Sequence, residues 1–260
     1  MRKSIINVLK NIGLYKPLVS FWNKIKSAGT IQQERRNHQK RILFYSSFLS
    51  ADDIAFDVGA NMGNRASVFL QIGCKVIAVE PQKVCYSHLL SKFGKKIIIV
   101  PFGLGEKEEE RVMYISNVNT VSSFSNEWIE SVKKDRFKNI DWDQSQTIKM
   151  TTLENLIVEF GKPKFCKIDV EGFELEVLKS LKQPLPYLSM EYTVPEQIER
   201  LAACVDYCYN LSSDSTFNYA IGEEMKLELP AYINYEEFKK LIRTPQFIAS
   251  GFGDVYIKTI

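Results

Sequence analysis

Five carboxylates set beside apolar runs carry most of the chemistry that this chain of 260 residues can offer. Asp57 precedes the turn Val58-Gly59-Ala60-Asn61-Met62-Gly63, and Glu80 closes the apolar run Lys75 to Val79, 21 residues after Gly59. From that position a carboxylate accepts hydrogen bonds from both hydroxyls of an adenosine ribose. Asp169 and Glu171 stand either side of Val170, Gly172 lets the chain bend after them, and Glu191 lies at the end of the run from Tyr187. Carboxylates in such places take a proton from a hydroxyl or orient it, which is typically worth ~10² to 10⁴ in rate. Asp169 and Glu191 end consecutive strands in this reading, so the same pair could instead hold a magnesium ion that lowers the pKa of a substrate hydroxyl. Glu171 is suited to orienting an acceptor or bracing the turn, and capping of the next helix is the structural alternative for Asp169 or Glu171. Lys167 either anchors an acidic group or covers an apolar edge. His38, in a basic stretch, and His88, inside a helix packed beside the sheet, are poorly placed as bases.

The elements that must position these groups follow from the apolar pattern. Ile54 to Phe56 reads as a strand, Arg65 to Ile72 as a helix with Ala66, Val68, Phe69 and Ile72 at helical spacing, and Lys75 to Val79 as a second strand. Gly59 and Gly63 permit a loop that approaches a ligand closely. A dinucleotide fingerprint needs G-x-G-x-x-G, but Asn61 and Asn64 stand where its second and third glycines belong. A pyrophosphate would meet side chains there, and no Y-x-x-x-K pair is evident, so a nicotinamide-dependent sugar-nucleotide oxidoreductase or epimerase is the weaker reading. A cofactor with adenosine, an amino group and a carboxylate but no phosphate suits the half-site: S-adenosylmethionine, whose positive sulfonium favours acidic surroundings. Asp57, Gly59, Asn61, Gly63 and Glu80 are its candidate contacts.

Beyond Glu80 the pattern gives a helix to about Phe93, a strand from Lys96 to Val100, a loop at Gly103-Leu104-Gly105 and a short strand from Arg111 to Ile115. Residues at about 116–146 form a polar insertion of the length of many lids, where acceptor choice is expected to lie. Asp141-Trp142-Asp143 is suited to stack on and hydrogen-bond a sugar, or to pin a loop; Ser122 and Ser123 could line the acceptor pocket. Strands are expected at Lys164 to Asp169, Tyr187 to Tyr192, Phe217 to Ile221, Met225 to Leu229 and Gly253 to Thr259, with helices at Glu174 to Leu181, Pro195 to Cys208 and Glu236 to Ile242. The alternation implies an α/β fold with a parallel sheet and a late antiparallel hairpin, the ligand lying beyond the carboxyl ends of the strands.

Thr151-Thr152-Leu153-Glu154-Asn155-Leu156-Ile157, then Lys167-Ile168-Asp169-Val170-Glu171-Gly172, together with the DVGANMG and VEP segments, resemble the FkbM-type methyltransferases, and Gly253 to Ile257 resembles that family's closing strand. The resemblance covers about Asp53 to Ile260. It implies a class I, Rossmann-like methyltransferase sheet, mostly parallel with an antiparallel final strand, and transfer from S-adenosylmethionine, commonly to a hydroxyl of a sugar, glycan or other natural product. It also implies that adenine packs at Gly103 and Leu104, beside Phe102.

Net charge is +3, unevenly placed: residues 1–50 carry +9 and the remainder −6. Residues 1–50 therefore read as a basic helical N-terminal cap, with apolar faces at Ile5 to Ile12 and Leu18 to Ile25, and residues 51–260 as the methyltransferase domain. The cap packs against the domain or a partner, or touches anionic lipid or a lipid-linked substrate at the inner membrane surface. Acidity over the catalytic part argues against nucleic acid as the partner. No run has transmembrane length and no leader pattern is evident, so a cytoplasmic protein is expected. Five cysteines without a C-x-x-C pair agree with reduced, buried thiols. A non-catalytic nucleotide-binding module would not need the carboxylates after Lys167.

Overall fold

The computed structural model of the protein describes residues 32–259. The chain divides into two units, Met1–Leu43 and Phe44–Ile260. In the first, residues 32–43 are helical; the faces expected at Ile5 to Ile25 lie outside the described residues. Among the described residues no helix is long and apolar enough to cross a membrane.

In the second unit, apolar runs alternate with amphipathic helices. In chain order the elements are β1 (Ile54–Val58), α1 (Asn64–Ile72), β2 (Lys75–Val79), α2 (Lys83–Phe93), β3 (Ile98–Val100), β4 (Gly103–Leu104), β5 (Glu110–Ile115) and α3 (Asn126–Lys133). There follow β6 (Gln144–Thr151), α4 (Leu153–Phe160), β7 (Phe165–Ile168), α5 (Glu174–Leu178), β8 (Tyr187–Thr193), α6 (Ile198–Leu211), β9 (Thr216–Ile221), α7 (Tyr235–Leu241), α8 (Pro245–Ile248) and β10 (Phe252–Lys258). Seven strands form one sheet in the order β3-β2-β1-β7-β8-β10-β9. Pairs from β3 to β8 are parallel, and β10 runs antiparallel to both β8 and β9. From β1 the chain builds outward to β2 and β3, then returns to β1's other side with β7. A crevice opens at that switch point, beyond the carboxyl ends of β1 and β7.

Strand alternation gives the sheet two different faces. On one, Phe165 and Tyr256 meet Tyr45 and Phe48, with the Phe48 and Tyr256 rings stacked at 5.6 Å. Residues 44–49, expected in the N-terminal cap, thus belong to the core of the catalytic unit: Tyr45, Phe48 and Leu49 are all buried. The opposite face buries Cys166, Ile168, Leu188, Met190, Val255 and Ile257 against Leu153 and Leu156 of α4, Val177 of α5 and Val205 of α6. All five cysteines are free and buried, as expected.

Three expectations change. Gly103-Leu104 is not loop but β4, paired with Met150 and Thr151 of β6. With β5 these strands make a second, three-stranded sheet, so much of the 116–146 insertion is ordered structure. Its small core of Met113, Phe124, Ile148, Met150 and Phe173 explains this, because period-2 burial along Thr147 to Met150 needs a facing layer. Met225 to Leu229 is not a strand. The Asn218 side chain accepts from Leu229 N–H and donates to its C=O in place of a regular ladder, and β9 takes its ladder from β10 alone, on its inner side.

One polar interaction crosses the middle of the sheet. Lys167 of β7, 3 % exposed, places Nζ 2.9 Å from Asp169 Oδ2 and 3.2 Å from Asp254 Oδ1 of β10, whose other oxygen receives the Tyr256 hydroxyl. Burial works against a charged lysine, but the two carboxylates outweigh it and hold the ammonium well above its ordinary pKa. Removing one partner of a buried pair strands the other charge, at a cost of roughly 3–5 kcal/mol. Lys167→Met should therefore lower the unfolding free energy in urea by about 3 kcal/mol, and the added Asp254→Asn change should recover part of that loss. A loss under about 1 kcal/mol, within the range of an ordinary exposed pair, would show that the network does not hold these strands.

Candidate active site

A cavity of about 210 Å³ opens at the switch point. Val58 and Gly59 lie on its floor, Val79 to Gln82 and Gly103-Leu104 on one side, and Asp169 to Glu171 with Glu191 on the other. Met113, Thr120, Ser122, Phe124 and Glu223 complete the wall. Residues from strands far apart in sequence thus converge at one sheet edge.

On the first side, the turn after β1 is shaped by positive φ at Gly59 (83°) and Asn61 (47°). Gly59 and Ala60 both donate to Val79 O at 3.0 Å, which ties the turn to β2. Gly59 cannot be replaced: a Cβ there would lie 1.8 Å from the Asp169 carbonyl oxygen. Glu80 takes the Asn61 N–H on Oε2 at 2.7 Å and the Gln82 N–H on Oε1 at 2.8 Å. These bonds fix the carboxylate's plane at the cavity rim, and each oxygen keeps a second lone pair. Burial raises the Glu80 pKa to about 7, against the opposing pull of the two backbone donors.

Among the expected contacts, Gly59, Asn61, Glu80, Gly103 and Leu104 line this cavity; Asp57 and Gly63 do not. The Asp57 carboxylate, 2 % exposed, faces α1 and accepts the Ala66 N–H at 2.9 Å, so it braces the turn from beneath. Burial lifts its pKa to about 6. Gly63 is the left-handed N-cap of α1, where a Cβ would strike Phe93 and Leu89 of α2, so its role is helix packing. Phe102 is half exposed and His88 lies on α2; neither is part of the lining.

On the second side, Ile168 pairs with Met190, so Asp169 and Glu191 follow at adjacent register positions. Glu171 adopts a left-handed φ of 53°, an uncommon conformation for a side chain of its kind. It is held there by Glu174, whose Oε1 accepts from Val170 and Gly172, and by Ser123, which donates to the Glu171 carbonyl at 2.6 Å. Gly172 is packed against the Trp128 ring of α3, within 2.4 Å of where a Cβ would sit. Burial disfavours charge on all three acids, yet Lys167 reverses the outcome for Asp169 and keeps its carboxyl below the usual range. Glu171 and Glu191 lack such a partner. Burial and then the charge of Asp169 push both well above the ordinary range, and Glu191 hydrogen-bonds Asp169. Within the trio, charge is thus favoured at Asp169 and disfavoured at the two glutamates beside it.

Ligand atoms from Asp169, Glu171 and Glu191 fall within 4.8 Å of one another, close enough to share a cation. Lys167 already supplies positive charge at Asp169, and no step is derived through a metal.

Several lining residues had little signal in sequence. Glu223 follows β9, which runs parallel to β8 and so ends at the same edge; the expectation of a hairpin there obscured it. Its partner is Arg65 of α1, which also donates to Tyr45 Oη. Thr120 and Phe124 reach the cavity only through the second sheet. Trp142 takes the loop-pinning role: it donates to Val121 O at 2.7 Å and meets Trp128 edge-on.

Against known proteins, the chain aligns with the hexuronic acid methyltransferase AglP of Haloferax volcanii at 27 % identity over 158 residues, which is 59 % of this chain and 60 % of that protein. The match thus takes in less than two thirds of the relative's length. Among solved structures, the chain resembles a TehB-like SAM-dependent methyltransferase from Corynebacterium glutamicum (TM-score 0.44, 8 % identity, 91 % of this chain and 100 % of that one). It also resembles the precorrin-6y C5,15-methyltransferase of Geobacter metallireducens (TM-score 0.43, 10 % identity, 85 % and 87 %). The methyltransferase FkbM domain matches residues 57–224, more than half of the chain. By that match this chain belongs to the FkbM methyltransferase family.

Proposed function

We propose that this methyltransferase uses S-adenosylmethionine to methylate a hydroxyl of a sugar or glycan-like acceptor. The observation that carries the reading is a single cavity with Glu80 at one rim and Asp169, beside Glu191, at the other. The sugar-modifying activity named for the Haloferax volcanii relative supports the acceptor class.

In this reading Glu80 accepts the vicinal hydroxyls of the nucleoside ribose, while the Gly59 to Asn61 turn approaches the rest of the donor with backbone groups. Gly103 and Leu104, held against Met150 and Phe124, give a flat apolar seat for the base. When bound, S-adenosylmethionine presents a methyl group on cationic sulfur, so a new C–O bond forms as the C–S bond breaks and a neutral thioether leaves. Holding the acceptor oxygen in line supplies most of the rate, since effective molarities reach ~10⁵ to 10⁸ M. Asp169 takes the hydroxyl proton. Lys167 makes it a weak base by lowering its pKa, but the oxygen becomes strongly acidic as the new bond forms, so a weak acceptor suffices late in the step. Glu191 orients Asp169, and Glu171 stands at the acceptor side of the turn.

Three outcomes test this scheme. A ribose diol donates to the ionised form of Glu80 only, so affinity for S-adenosylhomocysteine should be full above pH 7 and should fall as pH drops through about 7, where the empty site takes up its proton. Titration calorimetry should show that slope in the wild type and not in Glu80→Gln, which should bind roughly ten to a hundred times more weakly at pH 8, as expected for a lost hydrogen bond to a charged group. Asp169→Asn should bind S-adenosylhomocysteine within about threefold of wild type and lose ~10² to 10⁴ in kcat. Chelation with EDTA should leave turnover unchanged; loss of activity restored by magnesium would require the carboxylate trio to act as a metal site.

A further inference from the structure

The charge of the cavity sorts possible acceptors. Its lining includes Glu80, Asp169, Glu171, Glu191 and Glu223 and, among the described residues, no lysine, arginine or histidine. The two nearest cations are turned to other work behind the wall. Lys167 is 3 % exposed with its ammonium between Asp169 and Asp254, and Arg65 is 7 % exposed with its guanidinium between Glu223 and Tyr45. Neither reaches past the carboxylate in front of it. On the acceptor side the polar groups that remain are Thr120, Ser122, Glu171 and Glu191, beside the apolar Met113 and Phe124.

This is a poor place for a second anion. Asp169, Glu171 and Glu191 already crowd their carboxyl oxygens within 4.8 Å of one another, and the charge of Asp169 raises the pKa of both glutamates. A carboxylate or phosphate carried in by the acceptor would meet the same repulsion, with no lysine, arginine or histidine among the described lining residues to answer it. A neutral ring instead meets hydroxyls and carboxyls that can both donate and accept, and Phe124 supplies an apolar wall. An ammonium group would find glutamates able to ionise on its arrival.

Resting on the acceptor class proposed above, we propose that the sugar unit methylated in this cavity is neutral or amine-bearing, and that a uronate or phosphorylated ring is rejected there. The acceptor proposed here differs from the hexuronic acid named for the relative, and Glu171 and Glu191 are the carboxylates to which the preference is assigned.

The test is ligand-observed NMR titration of the full chain, saturated with S-adenosylhomocysteine at pH 7, with three matched probes: methyl glucoside, methyl glucosaminide and methyl glucuronide. The neutral and amino probes should bind at least about tenfold more tightly than the glucuronide, a gap in the range that an unanswered like charge produces. Glu171→Gln keeps the side chain's shape and should narrow that gap by about threefold or more. Equal or tighter binding of the glucuronide by the wild type overturns the inference while leaving the sugar reading in place. A gap unchanged in both Glu171→Gln and Glu191→Gln overturns the assignment of specificity to these carboxylates. Failure of all three probes to bind, with S-adenosylhomocysteine bound, overturns the sugar reading and this inference with it.

Discussion

A single ammonium, buried in the middle of a seven-stranded sheet, sets the terms for the site above it. Lys167 joins β7 to β10 through Asp254 and fixes Asp169 where β7 ends. Without that charge, three acids crowded at one strand edge would share protons in no fixed pattern. With it, the pKa of Asp169 is held low while those of its two neighbours are raised. The core interaction and the chemistry are thus the same contact seen from two sides of the sheet. The antiparallel insertion of β10 is what makes it possible, since it brings Asp254 into register opposite Glu191.

Much of this was legible in the chain. The β-α-β unit from Ile54 to Val79 could be read from its apolar spacing, and Glu80 from its distance to Gly59, because local period and turn chemistry decide both. The carboxylates after Lys167 stood out by type and spacing, and the structure brings Asp169, Glu171 and Glu191 to one wall. What the pattern hid was long-range. The aromatic residues from Phe44 to Phe48 look like the continuation of a basic cap until Phe165 and Tyr256 are seen to need a cover. Asp57 looks like a ligand contact by position, but only the path of α1 reveals that its carboxylate is spent on Ala66. Gly103-Leu104 is too short to read as a strand, and becomes one because β6 arrives beside it from 40-odd residues away.

The second sheet and α3 do for the wall at Glu171 what β2 does for the turn at Gly59. Ser123 pairs with Tyr114 through the backbone, and its hydroxyl reaches the strained Glu171 carbonyl. Trp128 fills the space that Gly172 leaves open, and Arg136 spans from the insertion to Glu196 and to the carbonyls of Val194 and Gly251. A segment that reads as a polar lid is therefore anchored at several points to the elements that carry the acids. Strain at Glu171 is sustained by this surrounding structure, as an unfavourable backbone conformation at a working site must be.

The absent side chain at Gly59 has a mechanical consequence. With the Asp169 carbonyl filling the volume that a methyl branch would occupy, the turn after β1 and the end of β7 are wedged into one slab with no seam between them. Traffic in and out cannot proceed by parting that slab. The cavity meets solvent at the rim, where Glu223 is half open after β9 and Thr120 is exposed on the insertion.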